Sequence, residues 1–136
     1  MKLHASILTS TEIEYNIKVA KALGITCLVV ASTVPQAMTV LDEVASLQAL
    51  VVSGRNHRLW KVDPGKTMRI LQDMDVASKI AERKANDAII LIAEGFTAGV
   101  ELVAAREMGV DAVILGEELL ATRRSTVSEA LTDWTL

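Results

Sequence analysis

Short apolar runs alternate along the chain with stretches in which apolar residues recur every three or four positions. The runs are rich in Val, Ile and Leu and lack polar alternation, a pattern typical of strands buried on both faces of a parallel sheet. The spaced stretches predict amphipathic helices. The predicted strands comprise residues 3–8, 26–31, 48–53, 88–93 and 111–116. Strands that alternate with helices in this way predict an α/β protein with a parallel sheet and right-handed crossovers.

Capping residues predict where several helices begin. Thr11 and Glu14 have the spacing of a capping box, and so do Thr33 and Gln36. Asp63 precedes a proline, which is a strong start signal because the carboxylate can cap backbone N–H groups and proline is tolerated in the first turn. The predicted helices comprise residues 12–23, a segment with proline in its first turn at residue 35, and residues 64–74, 75–86, 98–108, 117–123 and 126–134.

The segment from Ser53 to Pro64 joins a predicted strand to a predicted helix, and the pattern assigns it no regular structure of its own. It carries Arg55, whose planar guanidinium suits a substrate anion but also suits a salt bridge. His57 titrates near neutral pH, although no cysteine, serine or acid at a defined spacing supports an acid–base role. Ligand sites of parallel α/β proteins collect at the carboxyl ends of the strands, so this loop is the first candidate site.

The alternation of strands and helices permits two architectures, an open doubly wound sheet or part of a (β/α)₈ barrel. No Gly-x-Gly-x-x-Gly sequence follows the first predicted strand, so the dinucleotide-binding fingerprint is missing. Gly95 and Gly116 each follow a late strand and favour the barrel, in which the loops after the last two strands commonly hold phosphate. Gly116-Glu117 at a helix start would present backbone N–H groups to an anion, or would form a tight turn needed only for packing.

Composition limits the classes of function. The 136 residues suit a single domain over residues 1–136, and with 51% hydrophobic but only 3% aromatic residues its core must be built from aliphatic side chains. A net charge of -3 with both signs interspersed argues against nucleic acid and acidic lipid as partners. No apolar run approaches the ~20 residues that span a bilayer. Cys27 lies in an apolar run and is expected to be buried, which fits an intracellular protein, and the two isolated histidines do not argue for a zinc site.

Two segments carry a family resemblance: Arg55-Asn56 continuing to Lys61-Val62-Asp63, and residues 112–120. The first resembles the asparagine-arginine loop after strand six of indole-3-glycerol-phosphate synthase, the (β/α)₈ enzyme of tryptophan biosynthesis, and the second resembles its strand-eight phosphate loop. The resemblance covers nearly the whole chain but only the second half of a family barrel, from about strand four to helix eight. It implies a TIM-barrel-like fold of about five parallel strands, half to five-eighths of a barrel. The implied location is the cytoplasm or, in a photosynthetic eukaryote, the plastid stroma.

The residues that match the family imply a binding site. Arg55, Gly95, Gly116 and Glu117 follow the family pattern and are the expected substrate- and phosphate-binding residues. Arg55 and Asn56 are the candidates for catalysis. The implied ligand is a sugar phosphate, and neither a cofactor nor a metal is expected.

The departures from the family fall on its chemistry. The family closes an indole ring with loss of carbon dioxide and water, using lysines and glutamates at the strand ends, and its lysines lie on strands one and three. Val30 falls where the resemblance expects a catalytic glutamate, and Ser53 falls where it expects a catalytic asparagine. Glu94 falls on an expected phosphate-binding serine, unless the alignment slips by one residue. Its charge is expected to repel the anion unless its side chain turns toward Arg55 or solvent.

Two functional hypotheses follow from the matches and departures. The favoured one is a non-catalytic relative with a vestigial phosphate site. The alternative is an active carboxy-lyase fragment that a missing N-terminal half or a partner completes. A half barrel leaves two sheet edges unpaired, so self-association or a partner that completes the barrel is also expected.

Overall fold

A computed structural model gives the architecture of residues 1–56, 61–96 and 99–116. Within these residues five parallel strands form one sheet, and two short strands form a separate antiparallel pair. The strands are β1 (Lys2–His4), β2 (Leu28–Ala31), β3 (Ala49–Ser53), β4 (Arg55–Asn56), β5 (Lys61–Val62), β6 (Ile90–Glu94) and β7 (Ala112–Ile114). The helices are α1 (Ser10–Ala22), α2 (Val34–Glu43), α3 (Pro64–Gln72), α4 (Met74–Asp87) and α5 (Gly99–Glu107).

The strand order of the parallel sheet, β1-β2-β3-β6-β7, follows the chain without a reversal. A doubly wound sheet has a switch point at which the order reverses. No such point occurs among the described strands. The five predicted parallel strands are therefore confirmed, and their order is that of consecutive βα units in a barrel.

The helices pack on one face of the sheet. The main apolar core joins strand residues such as Val29, Leu50 and Leu91 to the buried faces of all five helices. Its helical members include Ile13, Ile17, Val40, Leu41, Ile70, Leu71, Val76, Ile80, Leu102 and Ala105. The opposite face, here called the inner face, carries a smaller cluster of strand residues alone: Val30, Ala49, Val51 and Ile92. One-sided helix packing is consistent with a partial TIM-barrel-like fold whose sheet is not closed.

The first helix begins two residues earlier than the sequence predicts. Thr9 is its N-cap, and Thr9 and Glu12 form the capping box, with the Glu12 carboxylate accepting from the Thr9 backbone N–H at 2.8 Å. The assignment of Thr11 and Glu14 as the box was wrong, because both pairs have the same spacing and spacing alone does not distinguish them. Thr33 and Asp63 are confirmed as the N-caps of α2 and α3.

The segment after β3 has regular structure where none was predicted. Arg55 pairs with Val62 and Asn56 pairs with Lys61 in an antiparallel ladder. The prediction was wrong because two-residue strands are too short to show a hydrophobic period. Residues 57–60, which include the candidate His57, come between these strands in sequence and lie outside the described residues.

The remaining expectations about the fold have mixed outcomes. Cys27 is buried, as predicted. The predicted helices at residues 117–123 and 126–134 lie outside the described residues. No helix in the described ranges has both the length and the apolar character needed to cross a membrane.

Candidate functional site

Three charged side chains from different strands meet at the carboxyl end of β6. This charged cluster comprises Lys2, Arg55 and Glu94. Lys2 Nζ lies 3.1 Å from Glu94 Oε1, and Arg55 Nε lies 3.8 Å from the same oxygen. The Glu94 side chain is 8% exposed, so its charge is largely removed from water and its desolvation must be offset by the two cations. Two positive charges against one negative charge leave the cluster with a net positive charge.

The second carboxylate oxygen of Glu94 lacks a hydrogen-bond partner among the described residues. Its Oε2 atom is buried and accepts no hydrogen bond from the described residues. An ionised carboxylate is acceptor-only, and a buried acceptor without a partner carries a desolvation cost. The charged cluster therefore offers cationic groups and one unused acceptor at the end of the sheet where parallel α/β proteins bind ligands.

The expected conflict between Glu94 and a bound anion is reduced by this geometry. The sequence predicts that repulsion wins unless Glu94 turns toward Arg55 or solvent. In the structure Glu94 Oε1 faces Arg55, and it also faces Lys2, which the sequence did not indicate. The repulsion from Glu94 is thus offset by its own partners.

Ser53 has a structural contact at the base of this site. It is fully buried at the end of β3, in register with Glu94, and its Oγ accepts from the Arg55 backbone N–H at 3.2 Å. This bond helps to fix the backbone at Arg55 as the chain leaves the sheet. A side chain that holds Arg55 in place is a different role from the catalytic asparagine that the resemblance expects there.

Two glycines allow the ends of β3 and β6 to approach each other. The Gly54 backbone N–H donates to the Glu94 carbonyl oxygen at 3.2 Å. A Cβ on Gly54 would lie 2.2 Å from the Asp63 carbonyl oxygen, so no larger residue fits without movement. Gly95 has φ +95°, and a Cβ there would lie 3.3 Å from Gly54 N. Packing and backbone conformation alone therefore require glycine at position 95.

The inner face is apolar where the resemblance expects a catalytic acid. Val30 is 1% exposed and belongs to the inner-face cluster. In the sheet it is paired with His4 on one side and Val51 on the other. An aliphatic side chain cannot transfer a proton, so this position contributes shape and burial only.

The structure brings together only part of the predicted binding set. Arg55 follows the end of β3 and Gly95 follows the end of β6, and these two strands are neighbours in the sheet. Gly116 is exposed and follows β7, an edge strand of the described sheet. Glu117 lies outside the described residues. Asn56 is exposed on β4, next to Arg55.

Lys2 is the member of the site that sequence reasoning missed. It lies at the start of the first strand, and its partner Glu94 is 92 positions away in the chain. No local pattern reports such a contact. The sequence feature that could have indicated Lys2 is the alternation of side chains along a strand, which places Lys2 and His4 on the same face of β1.

The described residues offer no ready metal centre. No group of three or more His, Cys, Asp or Glu side chains in residues 1–56, 61–96 and 99–116 is arranged to hold a metal ion. The chemistry available at the charged cluster is electrostatic attraction and hydrogen bonding.

Two known proteins of the same name align with most of this chain. The chain is 26% identical over 118 residues to the indole-3-glycerol phosphate synthase of Acaryochloris marina, an alignment that covers 87% of this chain and 37% of that protein. It is 26% identical over 119 residues to the protein of the same name from Microcystis aeruginosa, covering 87% and 38% respectively. These matches support a divergent relation to indole-3-glycerol-phosphate synthase.

The extent of the match also matters for function. The chain aligns with less than two-fifths of the length of these curated synthases. No family model matches the chain. The relation to the synthases thus concerns one part of those proteins, and the activity of the whole synthase is a separate matter.

Proposed function

We propose that this chain is a synthase-like half barrel that binds an anionic sugar phosphate without catalysing ring closure. The observation that carries the proposal is Val30, buried on the inner face at the position where the resemblance expects a catalytic glutamate. General acid–base groups contribute typically ~10²–10⁴-fold to a rate. Loss of one such group by itself reduces turnover by that factor, and Ser53 at a second such position compounds the loss.

The charged cluster supports binding of an anion. The two positive charges of Arg55 and Lys2 outnumber the single negative charge of Glu94. Arg55 also has a planar guanidinium, which suits oxyanions. Gly95, Gly116 and Glu117 form the second part of the proposed site, in which backbone N–H groups at strand ends would face the phosphate. A ligand with a phosphate group and hydroxyl donors would use both the cations and the unused Glu94 Oε2.

Titration calorimetry with the family's substrate tests the proposed binding. We expect saturable binding that Arg55→Ala weakens by about tenfold or more, since hydrogen bonds to charged groups are worth about 1.5–3 kcal/mol. Arg106→Ala is the matched control, because Arg106 is exposed on α5. Equal affinities for the two variants, or no saturable heat from the unmodified chain, would contradict the proposed site.

A completed barrel is the second candidate function, and the open sheet favours it. Among the described strands, β1 and β7 each pair with a single neighbour, which leaves two edges for further strands. The test is to mix this chain with the N-terminal half of one of the curated synthases and to measure indole fluorescence. We expect little turnover from the mixture, and more after Val30→Glu and Ser53→Asn. Turnover near that of an intact synthase without these substitutions would favour the completed enzyme.

A further inference from the structure

A second polar site lies beside the charged cluster, in a cleft at the carboxyl ends of β1, β2 and β3. The cleft has a volume of about 210 Å³. Its lining includes Ser6, Ser32, Gln36, Arg55, Asn56 and Lys66. The described residues of this lining include two cations and several hydroxyl and amide groups, and no carboxylate is among them. A concave surface of this composition selects for negative charge and for oxygen atoms that accept hydrogen bonds.

A hydrogen bond at the start of α2 engages the side-chain amide of Gln36. The Ser32 backbone N–H donates to Gln36 Oε1 at 2.9 Å, and the Gln36 backbone N–H donates to Thr33 Oγ1 at 3.3 Å. Because the amide oxygen is occupied by Ser32, the remaining polar group of the side chain is its NH₂ donor. Gln36 lines the cleft and therefore has donors available for an acceptor.

The acid nearest in sequence to Lys66 is engaged elsewhere. The Asp63 carboxylate caps α3 by accepting from the Lys66 backbone N–H at 3.1 Å, and its other oxygen lies 2.9 Å from Arg69 Nη2. Among the described residues no carboxylate forms an ion pair with the Lys66 ammonium. Its charge is thus not neutralised by Asp63, and it adds to the positive potential of the cleft.

We propose that this cleft binds an oxyanion, the phosphate or carboxylate group of a small polar molecule. The donors come from Gln36, Ser32 and Lys66, with Arg55 at the border shared with the charged cluster. Ligand pockets for drug-sized molecules occupy about 300–1,000 Å³, so a cleft of this size holds an anionic group and a few further atoms. The site is distinct from the loops at Gly95 and Gly116, which follow β6 and β7 at the other side of the sheet.

Nuclear magnetic resonance titration of the ¹⁵N-labelled chain tests this site. Inorganic phosphate and acetate serve as separate probes at constant ionic strength, so that the two oxyanion chemistries are compared directly. We expect saturable shifts of the backbone amides of Ser32, Gln36 and Lys66. Tighter saturation with phosphate assigns the site to phosphate groups, and tighter saturation with acetate assigns it to carboxylates.

Lys66→Gln and Lys21→Gln form a matched pair of variants. Lys21 is exposed in the last turn of α1, so its loss removes the same charge without touching the cleft. We expect Lys66→Gln to weaken binding by about tenfold, the loss of one charge-assisted hydrogen bond. Equal weakening by both variants, shifts confined to Gly95 and Gly116, or no saturation with either probe would overturn the proposal. Shifts confined to Gly95 and Gly116 would also separate this site from the proposed sugar-phosphate site, which does not require Lys66.

Discussion

Gly54 shows how a single residue positions the candidate site. Its backbone N–H bonds to β6 and its carbonyl oxygen accepts from the Asp63 N–H at 3.1 Å, so it holds β3, β6 and the start of α3 together. Thr67 Oγ1 reinforces the same contact by donating to the Glu94 carbonyl oxygen at 2.8 Å. A side chain at position 54 would meet both Asp63 and Thr67, at 2.2 Å and 2.6 Å.

Gly54→Ala is therefore expected to destabilise the fold. Overpacking in a tight site costs typically about 1–3 kcal/mol, and a contact with backbone is at the upper end because backbone cannot rotate away. Gly65→Ala is the control, since a Cβ there would first meet the end of the flexible Arg69 side chain, at 3.0 Å. In urea unfolding we expect the Gly65 variant to be neutral or slightly more stable. Equal losses in both variants would contradict the close-contact explanation.

Glu94→Gln tests the charged cluster by removing its single negative charge. The substitution removes the partner of Lys2 and Arg55, and we expect the free energy of unfolding to fall by about 1–2 kcal/mol. This loss is below the ~3–5 kcal/mol of a fully buried pair because the Lys2 side chain is 36% exposed and can reach water. Phosphate binding, measured by calorimetry, should become stronger because the net positive charge rises. Glu107→Gln, on an exposed position, should change neither quantity.

Helices α1 and α2 are joined by a carboxylate rather than by apolar contacts alone. Glu14 accepts from the Ser46 hydroxyl at 2.6 Å and from the Ser46 backbone N–H at 2.9 Å, in the turn that follows α2. Burial by itself raises the pKa of Glu14, but the Ser46 hydrogen bonds and the nearby Lys18 outweigh it. The pKa therefore lies below its ordinary value of 4.5.

This lowered pKa predicts a pH dependence of stability. A carboxylate with a lower pKa in the folded state stabilises the fold above its unfolded pKa, and the contribution is lost as pH falls through the folded pKa. The difference in free energy of unfolding between the unmodified chain and Glu14→Gln should be constant above about pH 4.5 and shrink at lower pH. Urea unfolding curves of both proteins, measured at pH values above and below 4.5, give this difference. A difference that stays constant into strong acid would mean that Glu14 has no lowered pKa.

Element types were predictable from sequence because they depend on local periodicity. Helix α2 followed from Thr33 and from apolar spacing, and β6 from an uninterrupted aliphatic run. The β4–β5 pair was not predictable, since neither strand is long enough to have a period. The contact between Lys2 and Glu94 depends on the register of four strands, which no local pattern encodes.

At the scale of the whole molecule, the sheet formed by the described strands is open and carries exposed apolar side chains. Ile90 is 50% exposed on β6, and Val113 is 36% exposed on β7, which is an edge strand of the described sheet. Unpaired edges and exposed apolar residues are sites at which further strands associate. We therefore propose that the half barrel contacts a second copy or a partner that completes it.

Light scattering coupled to size-exclusion chromatography tests this association. We expect dimers or larger species whose proportion rises with protein concentration. Val113→Lys should shift the distribution towards monomer, because an edge lysine opposes strand pairing. Val103→Lys, at an exposed position of α5, is the control and should have a smaller effect. A stable monomer with a cooperative melting transition would contradict the expected association.

A single-turnover experiment tests the central proposal most directly. The chain is held in excess over the family's substrate, so that every substrate molecule is bound, and the reaction is quenched and separated to detect the indole product. We predict that the substrate is recovered unchanged, because Val30 and Ser53 supply no proton transfer at the positions where the family's chemistry is expected. Conversion of the bound substrate to the indole product at rates near those of an intact synthase, abolished by Arg55→Ala, would contradict the proposal.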